Sequence, residues 1–568
     1  MEKPITNCHV HIFNSEHVPP YIAKKFLWWP FYLLLHLPTI IALYRFSMRV
    51  RSLWYNPRFI RVRLLRYLYK VTFFRNFLVT ALRYGVGLWL TVVTFFILFK
   101  WVSTLTPPEN STILQYINNT YSALRPVIPD TNVLLDVSIV IVTLLFIKMG
   151  RNFIFYILSK VWKFFGLLPG KKTKELISRY IQIARFALYR GQTGIFSKLK
   201  GQYPEGTKFV VLSMDMSYMK AGKVKSDYYN QLADLKSLKE KNPEIFHPFI
   251  FVDPRRIIED SSFFGYSIDA TGNVVLDPDC IINEYINVHK FDGFKIYPAL
   301  GYYPFDEALL PLWKYAADNG IPIMTHCISG VIYYRGTKKT EWDYHPVFKQ
   351  NTGDGSYEPL MLPQKRNEDF SINFTHPLNY LCLLDERLLR EVVSKSSLAV
   401  QELFGFTHID TPLKHNLSNL KICLAHFGGE EEWKRFLESD RSQYFHEFNN
   451  HPLRGINLSH NSQGLFSWDK LEASWKFIDW YAIICSMMLQ YPNVYADVSY
   501  ILYTHSILPL LRRTIQNQQL GAKVLFGTDF YVVRNHNSDF ELTTNLVGGL
   551  TKSEFDIISR DNPTSYLA

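Results

Sequence analysis

Short apolar runs recur along most of the chain, and stretches of mixed polarity with helical spacing separate most of them. This alternation of strand and helix is typical of a parallel sheet covered by helices. Eight such units favour a (β/α)8 barrel of the TIM type over an open doubly wound sheet, since no glycine-rich phosphate loop follows the first strand. The predicted strands are 4–11, 208–214, 248–252, 292–297, 321–326, 420–426, 493–498 and 523–528. The predicted helices include 173–190, 226–241, 305–318 and 470–490.

One region interrupts this alternation directly after the first strand. Two nearly uncharged stretches, near 84–104 and 130–149, each approach the ~20 residues with which a helix crosses a ~30 Å hydrocarbon layer. We therefore expect a transmembrane helical hairpin there, with a pair of buried core helices as the alternative. Apolar runs at 26–44 and 153–168 contain proline, histidine or lysine, which favours the membrane surface. The predicted domains are 1–16 (first barrel strand), 17–170 (membrane insert) and 171–568 (the remainder of the barrel).

The basic residues of the chain are concentrated in the same region. The formal net charge is +12, and residues 17–108 contain many Lys and Arg but no Asp or Glu. Basic residues also follow the second apolar stretch, whereas the connection 103–130 contains only Arg125. The positive-inside rule then places both ends of the hairpin in the cytoplasm. We expect an integral membrane protein with two spans, a cytoplasmic catalytic domain, membrane lipid as a partner and no nucleic-acid partner.

The cysteines and the N-terminus give further expectations about the compartment. Six scattered cysteines form no Cys-x-x-Cys pair, which favours a reducing environment and argues against a disulfide scaffold or a cysteine zinc finger. Residues 1–16 contain no apolar run of the kind found in a cleavable signal peptide. A hydrophobic content of 48% is ample for a conventional core.

Polar side chains end or follow several of the predicted strands. The i, i+2 spacing of His9 and His11 sends both side chains to one face of the first strand. In a barrel the C-terminal ends of all strands converge on one face, where catalytic residues collect. Imidazoles together with one carboxylate suit zinc, and less selectively manganese or iron. The residues predicted to meet are His9, His11, Lys295, His326, His426 and Asp529.

The segments around these residues form a recognisable set of motifs. They are CHVHIF, FDGFKIYPALGYYPFD, IPIMTHC, FTHPLNY, LKICLAHFGGEEEW, NVYADVSY, VLFGTDF and DNPTSYL. With them the chain resembles the amidohydrolase superfamily, specifically the amidohydrolase-related group (amidohydrolase family 2) of metal-dependent hydrolases and zinc-dependent decarboxylases. The resemblance covers residues 1–16 and about 205–568, and the insert 17–170 is not part of the usual pattern.

The resemblance implies a role for each residue of the predicted site. His9, His11, His326 and Asp529 correspond to metal ligands, and Asp529 and His426 to catalytic residues. His426 would contact the substrate in a site with one ion or bind the second ion in a site with two. Lys295 corresponds to a carboxylated lysine that bridges two ions, with substrate binding or a structural salt bridge as alternatives. The implied cofactor is one or two divalent ions, zinc first and manganese or iron as alternatives.

The implied chemistry starts from a water molecule. A bound metal lowers the pKa of water from ~16 towards ~7. Asp529 can take the proton as the water attacks a carbonyl-like carbon, and can then pass it to the leaving group. We therefore expect a metal-dependent hydrolase that cleaves an amide, lactone or related ester bond in a small molecule. A zinc-dependent decarboxylase on the same site is the first alternative, and a catalytically inactive membrane scaffold is the second.

Several residues outside this set have weaker signals. Asp497 and His376 are candidates for supporting the site, and loop histidines such as His345 are expected to be solvated. The connection 327–419 is long for a barrel and is expected to form a lid or pocket wall. Because the insert leaves the barrel on its catalytic face, we also expect the mouth of the site to face the membrane and an amphiphilic substrate to bind. The candidate substrate contacts in the long connection are Tyr333, Tyr334, Arg335, Trp342 and Tyr344.

Overall fold

The computed structural model divides the chain into two compact units. The first unit comprises Met1–Ile41 and Glu175–Ala568, and the second comprises Ala42–Lys174. The predictions for residues 26–44, 153–168 and 173–190, and for Tyr333, lie outside the described residues. The structure describes residues 3–20, 77–105, 112–124, 131–147, 150, 152, 191–329, 334–364, 370–530 and 538–568.

The first unit contains an eight-stranded sheet in which every pairing between neighbours is parallel. The strands lie side by side in chain order, numbered here β1 to β8. This order is that of a TIM-type barrel, which confirms the predicted barrel. The strands are β1 (Thr6–Val10), β2 (Lys208–Leu212), β3 (Phe246–Phe251), β4 (Gly293–Lys295), β5 (Ile323–Met324), β6 (Ile422–Leu424), β7 (Val494–Asp497) and β8 (Val524–Leu525).

Backbone hydrogen bonds join β1 to the segment that includes and follows β8, and they close the barrel. The Cys8 N–H donates to the Phe526 carbonyl at 2.8 Å, and the Asp529 N–H donates to the His9 carbonyl at 2.9 Å. The His11 N–H donates to the Phe530 carbonyl at 2.5 Å. The two ends of the sequence are therefore neighbours at the C-terminal rim of the barrel.

Helices cover the outside of the barrel in the connections between strands. Most begin with a side-chain cap, as at Asp227, Asp253, Asp479 and Ser538, each of which accepts a hydrogen bond from an N–H of the first turn. In the described part of the first unit, the α-helices of six or more residues are Gly191–Lys200, Tyr228–Lys241, Pro254–Glu259, Leu310–Asn319, Glu386–Val393, Leu398–Phe404, Glu430–Glu438, Gln443–Asn450, Trp468–Phe477, Trp480–Gln490, Leu508–Gln516, Asp539–Gly549 and Asn562–Leu567.

An apolar layer fills the barrel beneath the polar strand ends. Every strand except β4 contributes to this layer from within the strand or directly after it, as Cys8 does just before His9 and Leu525 does four residues before Asp529. Tyr566 of the last helix reaches this layer, with its ring centroid 5.2 Å from that of Tyr495. The layer consists of Cys8, Val210, Leu212, Phe249, Met324, Cys423, Ala425, Tyr495, Leu525 and Tyr566.

The predicted helix 470–490 and the long connection 327–419 differ in detail from the structure. The helix is divided into two because Ile478 leaves the helical conformation and Asp479 caps the second helix. The connection contains a hairpin of Tyr344–Asn351 and Tyr357–Met361 in addition to two α-helices of six or more residues, Glu386–Val393 and Leu398–Phe404. Large parts of it are buried, so it is a packed layer rather than an open loop.

In the second unit, helix Phe77–Leu105 packs against helix Val133–Phe146 through polar as well as apolar contacts. The Thr94 hydroxyl donates to the Thr143 hydroxyl at 2.7 Å. The Lys100 ammonium lies 3.2 Å from the carboxylate of Asp136, which is fully buried. Lys100 and Asp136 therefore form an ion pair between the two helices.

The structure corrects the prediction of two membrane spans. Within the described ranges, Tyr84–Trp101 is the one helical stretch long and apolar enough to cross a membrane by length and composition. The helix Val133–Phe146 has 14 residues, because Ile147 already adopts an extended conformation. At ~1.5 Å per residue it reaches ~21 Å, short of a ~30 Å hydrocarbon layer. The predicted integral membrane protein with two spans and a cytoplasmic catalytic domain is therefore wrong.

His345 is the second correction, because it is fully buried rather than solvated. Its Nδ1 accepts hydrogen bonds from the Val347 and Phe348 N–H groups, and its Nε2 lies 3.0 Å from the Asn379 side-chain oxygen. Burial lowers the pKa of His345 to about 3. Protonation would also put a hydrogen on Nδ1, where it would face the N–H groups of Val347 and Phe348. The folded chain therefore favours the neutral ring.

We predict that His345 contributes to acid destabilisation. Its pKa is lower in the folded than in the unfolded chain, so stability is lost as pH falls below the unfolded value of ~6.5, by about 2 kcal/mol at pH 5. His345→Gln should lower the melting temperature at pH 7 and reduce the further decrease between pH 7 and pH 5. The exposed His408, changed to Gln, is the control. An unchanged decrease in the His345 variant would contradict this assignment.

Candidate metal centre

His9 and His11 lie at the rim of the barrel on a strand that contains a β-bulge. Asn7 pairs with Phe209 and Val10 with Val211, so β1 has one residue more than β2 in this interval. In a regular strand, Cys8 and His9 would point to opposite faces. The extra residue allows Cys8 to face the apolar layer while His9 and His11 both approach Asp529.

Asp529 follows β8 in the left-handed backbone conformation, with φ of 57°. Its Oδ1 lies 3.7 Å from His9 Nε2 and 3.5 Å from His11 Nε2. Gly527 permits this approach, since a Cβ there would lie 2.8 Å from the His9 Cβ and 3.1 Å from the Ser499 Cβ. The glycine therefore lets the chain after β8 pass close to both β1 and β7.

His326 and His426 lie beside His9 on the same rim. The His426 ring centroid is 4.7 Å from that of His9 and 4.7 Å from that of His326. His426 Nε2 lies 3.1 Å from His326 Nδ1. His426 also has a positive φ of 66°, and its backbone conformation directs the side chain from the end of β6 towards the other histidines.

Lys295 at the end of β4 is 1% exposed and faces the same region. Its ammonium donates to the Thr325 carbonyl at 2.7 Å. Burial lowers the pKa of Lys295 to about 8, while the carboxylates of Asp497 and Asp529 act in the opposite direction. The barrel therefore contains a buried cation next to its buried carboxylates.

The distances around Asp529 fit a metal ion better than hydrogen bonds. A separation of 3.5 to 3.7 Å is too long for a good hydrogen bond. Two ligand atoms each ~2.1 Å from a tetrahedral ion lie ~3.4 Å apart. The Nε2 atoms of His9 and His326 are also buried and have no hydrogen-bond partner among the described residues. His9, His11 and Asp529 together could hold a metal ion, and they form one compact group of ligand atoms.

The protonation states of these residues agree with a metal site. Burial is the largest cause of each shift: it lowers the pKa of His9 and His326 well below the usual value and that of His11 to about 3. The imidazoles are therefore neutral, as metal ligation requires. Burial raises the pKa of Asp529 well above its usual value. Binding of an ion at Asp529 therefore competes with a proton.

The structure also locates the residues with weaker sequence signals. Asp497 accepts a hydrogen bond from His9 Nδ1 at 2.8 Å and is in contact with the site. His376 instead stacks on Trp475, with ring centroids 3.8 Å apart, which is a packing contact. Trp342 is buried against Phe370 and Phe374. Tyr344 is 48% exposed on the outer hairpin.

Ser499 is the site residue that the sequence prediction missed. Its hydroxyl lies 2.9 Å from His426 Nδ1 and 3.2 Å from His9 Nδ1. It follows Asp497 by two residues at the end of β7, the same spacing that identified His9 and His11 at the end of β1. That spacing was the signal that could have identified it.

Comparisons with known proteins found matches among solved structures. No family model and no curated protein matches the chain. Among solved structures, the 5-carboxyvanillate decarboxylase LigW from Sphingomonas paucimobilis is 12% identical, with a TM-score of 0.35 over 68% of this chain and 84% of that one. An amidohydrolase from Mycobacterium avium subsp. paratuberculosis is 15% identical, with a TM-score of 0.30 over 67% and 75%. The geometry of the site, rather than these likenesses, carries the function proposed below.

We predict that the purified full-length chain contains a divalent ion that His9→Ala, His11→Ala, His326→Ala and Asp529→Ala remove or greatly weaken. Each change deletes a donor atom, and the loss of one ligand leaves the ion incompletely coordinated. Elemental analysis of the purified proteins measures the content. His247→Gln is the matched control, because His247 also lies on a barrel strand beside a carboxylate, Asp292, but outside the site. Equal metal content in all variants would contradict the assignment.

Proposed function

We propose that this chain is a metal-dependent hydrolase that cleaves an amide, lactone or related ester bond in a small molecule. The observation that supports the proposal is the group of His9, His11 and Asp529, whose facing atoms are separated by 3.5 to 3.7 Å at the C-terminal rim of the barrel. Catalytic residues of TIM-type barrels collect on this rim. Zinc is the proposed ion, because histidine nitrogens and one carboxylate are its common ligands, with manganese and iron as alternatives.

Asp529 is the proposed proton carrier. A bound divalent ion would polarise the substrate carbonyl and lower the pKa of water to ~7. The Oδ1 atom of Asp529 faces His9 and His11, which leaves Oδ2 to accept a proton from the attacking water. The same carboxyl then donates that proton to the leaving group as the bond to the carbonyl carbon breaks.

His426 and Lys295 are proposed to contact the substrate. His426 is neutral, because burial lowers its pKa well below the usual value, and its ring lies 4.7 Å from the rings of both His9 and His326, where it could contact a bound substrate. Lys295 is a buried ammonium that attracts negative charge on a substrate or on a developing oxyanion. The substrate would therefore lie between the histidine rim and Lys295.

Decarboxylation on the same residues is the second candidate. The buried Lys295 ammonium favours it, because a carboxylate substrate would be attracted to that charge. The carboxyl of Asp529, whose pKa is raised by burial, could then protonate the carbanion after carbon dioxide leaves. An inactive scaffold is the third candidate, and it predicts no turnover.

We propose that one ion binds per chain. A second ion would require nitrogens of His326 and His426 that lie 3.1 Å apart and are engaged with each other. Lys295 would have to be carboxylated as well, yet its Nζ faces the Thr325 carbonyl as a hydrogen-bond donor. When Asp497 and Asp529 are ionised, their two negative charges offset two of the three positive charges of the Lys295 ammonium and a single divalent ion. The one positive charge that remains suits a hydroxide or a substrate anion.

We predict that His426→Gln and Asp529→Asn lower turnover by different routes. His426→Gln should retain the metal and lower kcat by ~10²–10⁴-fold, the range expected for loss of an acid–base or polarising group. Asp529→Asn should lose activity together with metal affinity. A screen of esters, lactones, amides and carboxylic acids, with product identification by mass spectrometry, measures the activity and separates hydrolysis from decarboxylation.

The controls for this screen distinguish the three candidates. His247→Gln should retain full activity, because the pair of His247 and Asp292 lies outside the site. Carbon dioxide as a product would favour decarboxylation over hydrolysis. A chain that binds its metal but converts none of the compounds would support the scaffold. If His426→Gln lost the ion as completely as His9→Ala, His426 would be a ligand.

We predict that Lys295→Met retains one ion per chain and loses activity on anionic substrates. Methionine approximates the length of the lysine side chain but has no charge, so the ion keeps its ligands while the anion loses its partner. Metal analysis after purification with and without added bicarbonate tests the alternative. Two ions that depend on bicarbonate and on Lys295 would instead show a carboxylated bridging lysine.

A further inference from the structure

Asp497 at the end of β7 accepts hydrogen bonds from two different histidine residues. It is fully buried, and its Oδ2 lies 2.8 Å from His9 Nδ1. Its Oδ1 accepts from the backbone N–H groups of His426 at 3.1 Å and Ser499 at 2.9 Å, and also from the Ser499 hydroxyl. The carboxylate therefore connects β7 with β1 and β6.

The direction of each hydrogen bond determines which ring nitrogens carry hydrogen. A carboxylate oxygen only accepts, so the Nδ1 of His9 is protonated and its Nε2 has a free lone pair. The Ser499 hydroxyl uses its hydrogen for Asp497 and accepts from His426 Nδ1 at 2.9 Å. The Ser499 carbonyl, 3.3 Å from the same nitrogen, can also only accept. His426 therefore carries its hydrogen on Nδ1.

The same reasoning extends to His326. Since His426 carries its hydrogen on Nδ1, its Nε2 accepts, and the His326 Nδ1 at 3.1 Å must donate. The hydrogen of His326 is then on Nδ1 and its lone pair is on Nε2. In His9 and His326 this tautomer leaves the lone pair of Nε2 free. Within the part of the chain that the structure describes, these two atoms are the buried ring nitrogens of the site without a hydrogen-bond partner.

We propose that Asp497 is a positioning residue that prepares both His9 and His326 to bind the metal through Nε2. It acts on His9 directly and on His326 through Ser499 and His426. His11 is independent of Asp497, because its Nδ1 donates to the Leu212 carbonyl at 3.0 Å. This inference rests on the metal site of the proposed function, and it assigns the orientation of two of the histidines to one carboxylate.

Two substitutions separate the direct effect of Asp497 on His9 from its relayed effect on His326. We call these the direct arm and the relayed arm. Asp497→Asn replaces one acceptor oxygen by a donor group and so disturbs both arms. Ser499→Ala removes the hydroxyl that connects His426 with Asp497 and leaves His426 Nδ1 the Ser499 carbonyl at 3.3 Å, so it weakens the relay but keeps the hydrogen bond between His9 and Asp497. Loss of a group that orients a metal ligand lowers metal affinity by ~10–100-fold. Asp497→Asn should reach this range, and Ser499→Ala should reduce affinity in the same direction by a smaller factor.

Chelator competition on the full-length protein measures these affinities, and absorption spectra of the cobalt-substituted proteins report the geometry at the ion. Asp253→Asn is the matched control: Asp253 is also fully buried just after a barrel strand, but its hydrogen bonds are with Arg255. The control should lower the melting temperature without changing the affinity or the spectrum. Wild-type affinity and spectrum in Asp497→Asn, with only a lower melting temperature, would overturn the proposal.

Crystal structures of the metal-free intact chain and its Asp497→Asn variant separate this inference from the proposed function. If the intact chain binds no ion, the proposed function fails, but the rings can still be compared. The inference expects the ring of His9 to turn in the variant, so that Nε2 moves further from Asp529 Oδ1 than 3.7 Å. Unmoved rings of His9, His326 and His426 would overturn it.

Discussion

The closure of the barrel between β1 and the chain after β8 is the constraint on which the site depends. His9 and Asp529 belong to opposite ends of the sequence, and the Asp529 N–H donates directly to the His9 carbonyl. A side-chain bond runs beside it, since the Asn7 amide donates to the Thr528 hydroxyl at 2.8 Å. These bonds fix the backbone of β1 relative to the backbone after β8. The Asp529 carboxylate is thereby held facing the imidazoles of His9 and His11.

Closure also concentrates strained backbone at the rim. Of the six non-glycine residues with positive φ among the described ranges, four follow β6, β7 or β8. Such conformations cost free energy and persist where the surrounding structure determines them, which is common at functional sites. The site is therefore held by the barrel rather than by its own local preferences. The four residues are His426, Phe427, Tyr500 and Asp529.

The sequence was sufficient to predict the barrel because the strands are short apolar runs and most of them are separated by stretches with helical spacing. It was insufficient where an outcome depends on contacts between distant segments. The bulge in β1, the hydrogen bonds of Ser499 and the burial of His345 are set by neighbours far away in the sequence. The membrane prediction failed for a related reason, since a count of apolar residues reveals neither where a helix ends nor that Lys100 pairs with Asp136.

The position of the two ends in the sheet has a consequence for synthesis. His9 and Asp529 are separated by 520 positions in the sequence. At ~5–20 residues per second, a ribosome takes about half a minute to two minutes to make the intervening chain. Throughout that interval the nascent chain carries β1 and its two histidines without the segment after β8, and therefore without the carboxylate of Asp529. The group of His9, His11 and Asp529 is therefore absent from every chain that ends before Asp529, so an ion held by all three residues could bind only after most of the sequence has been made.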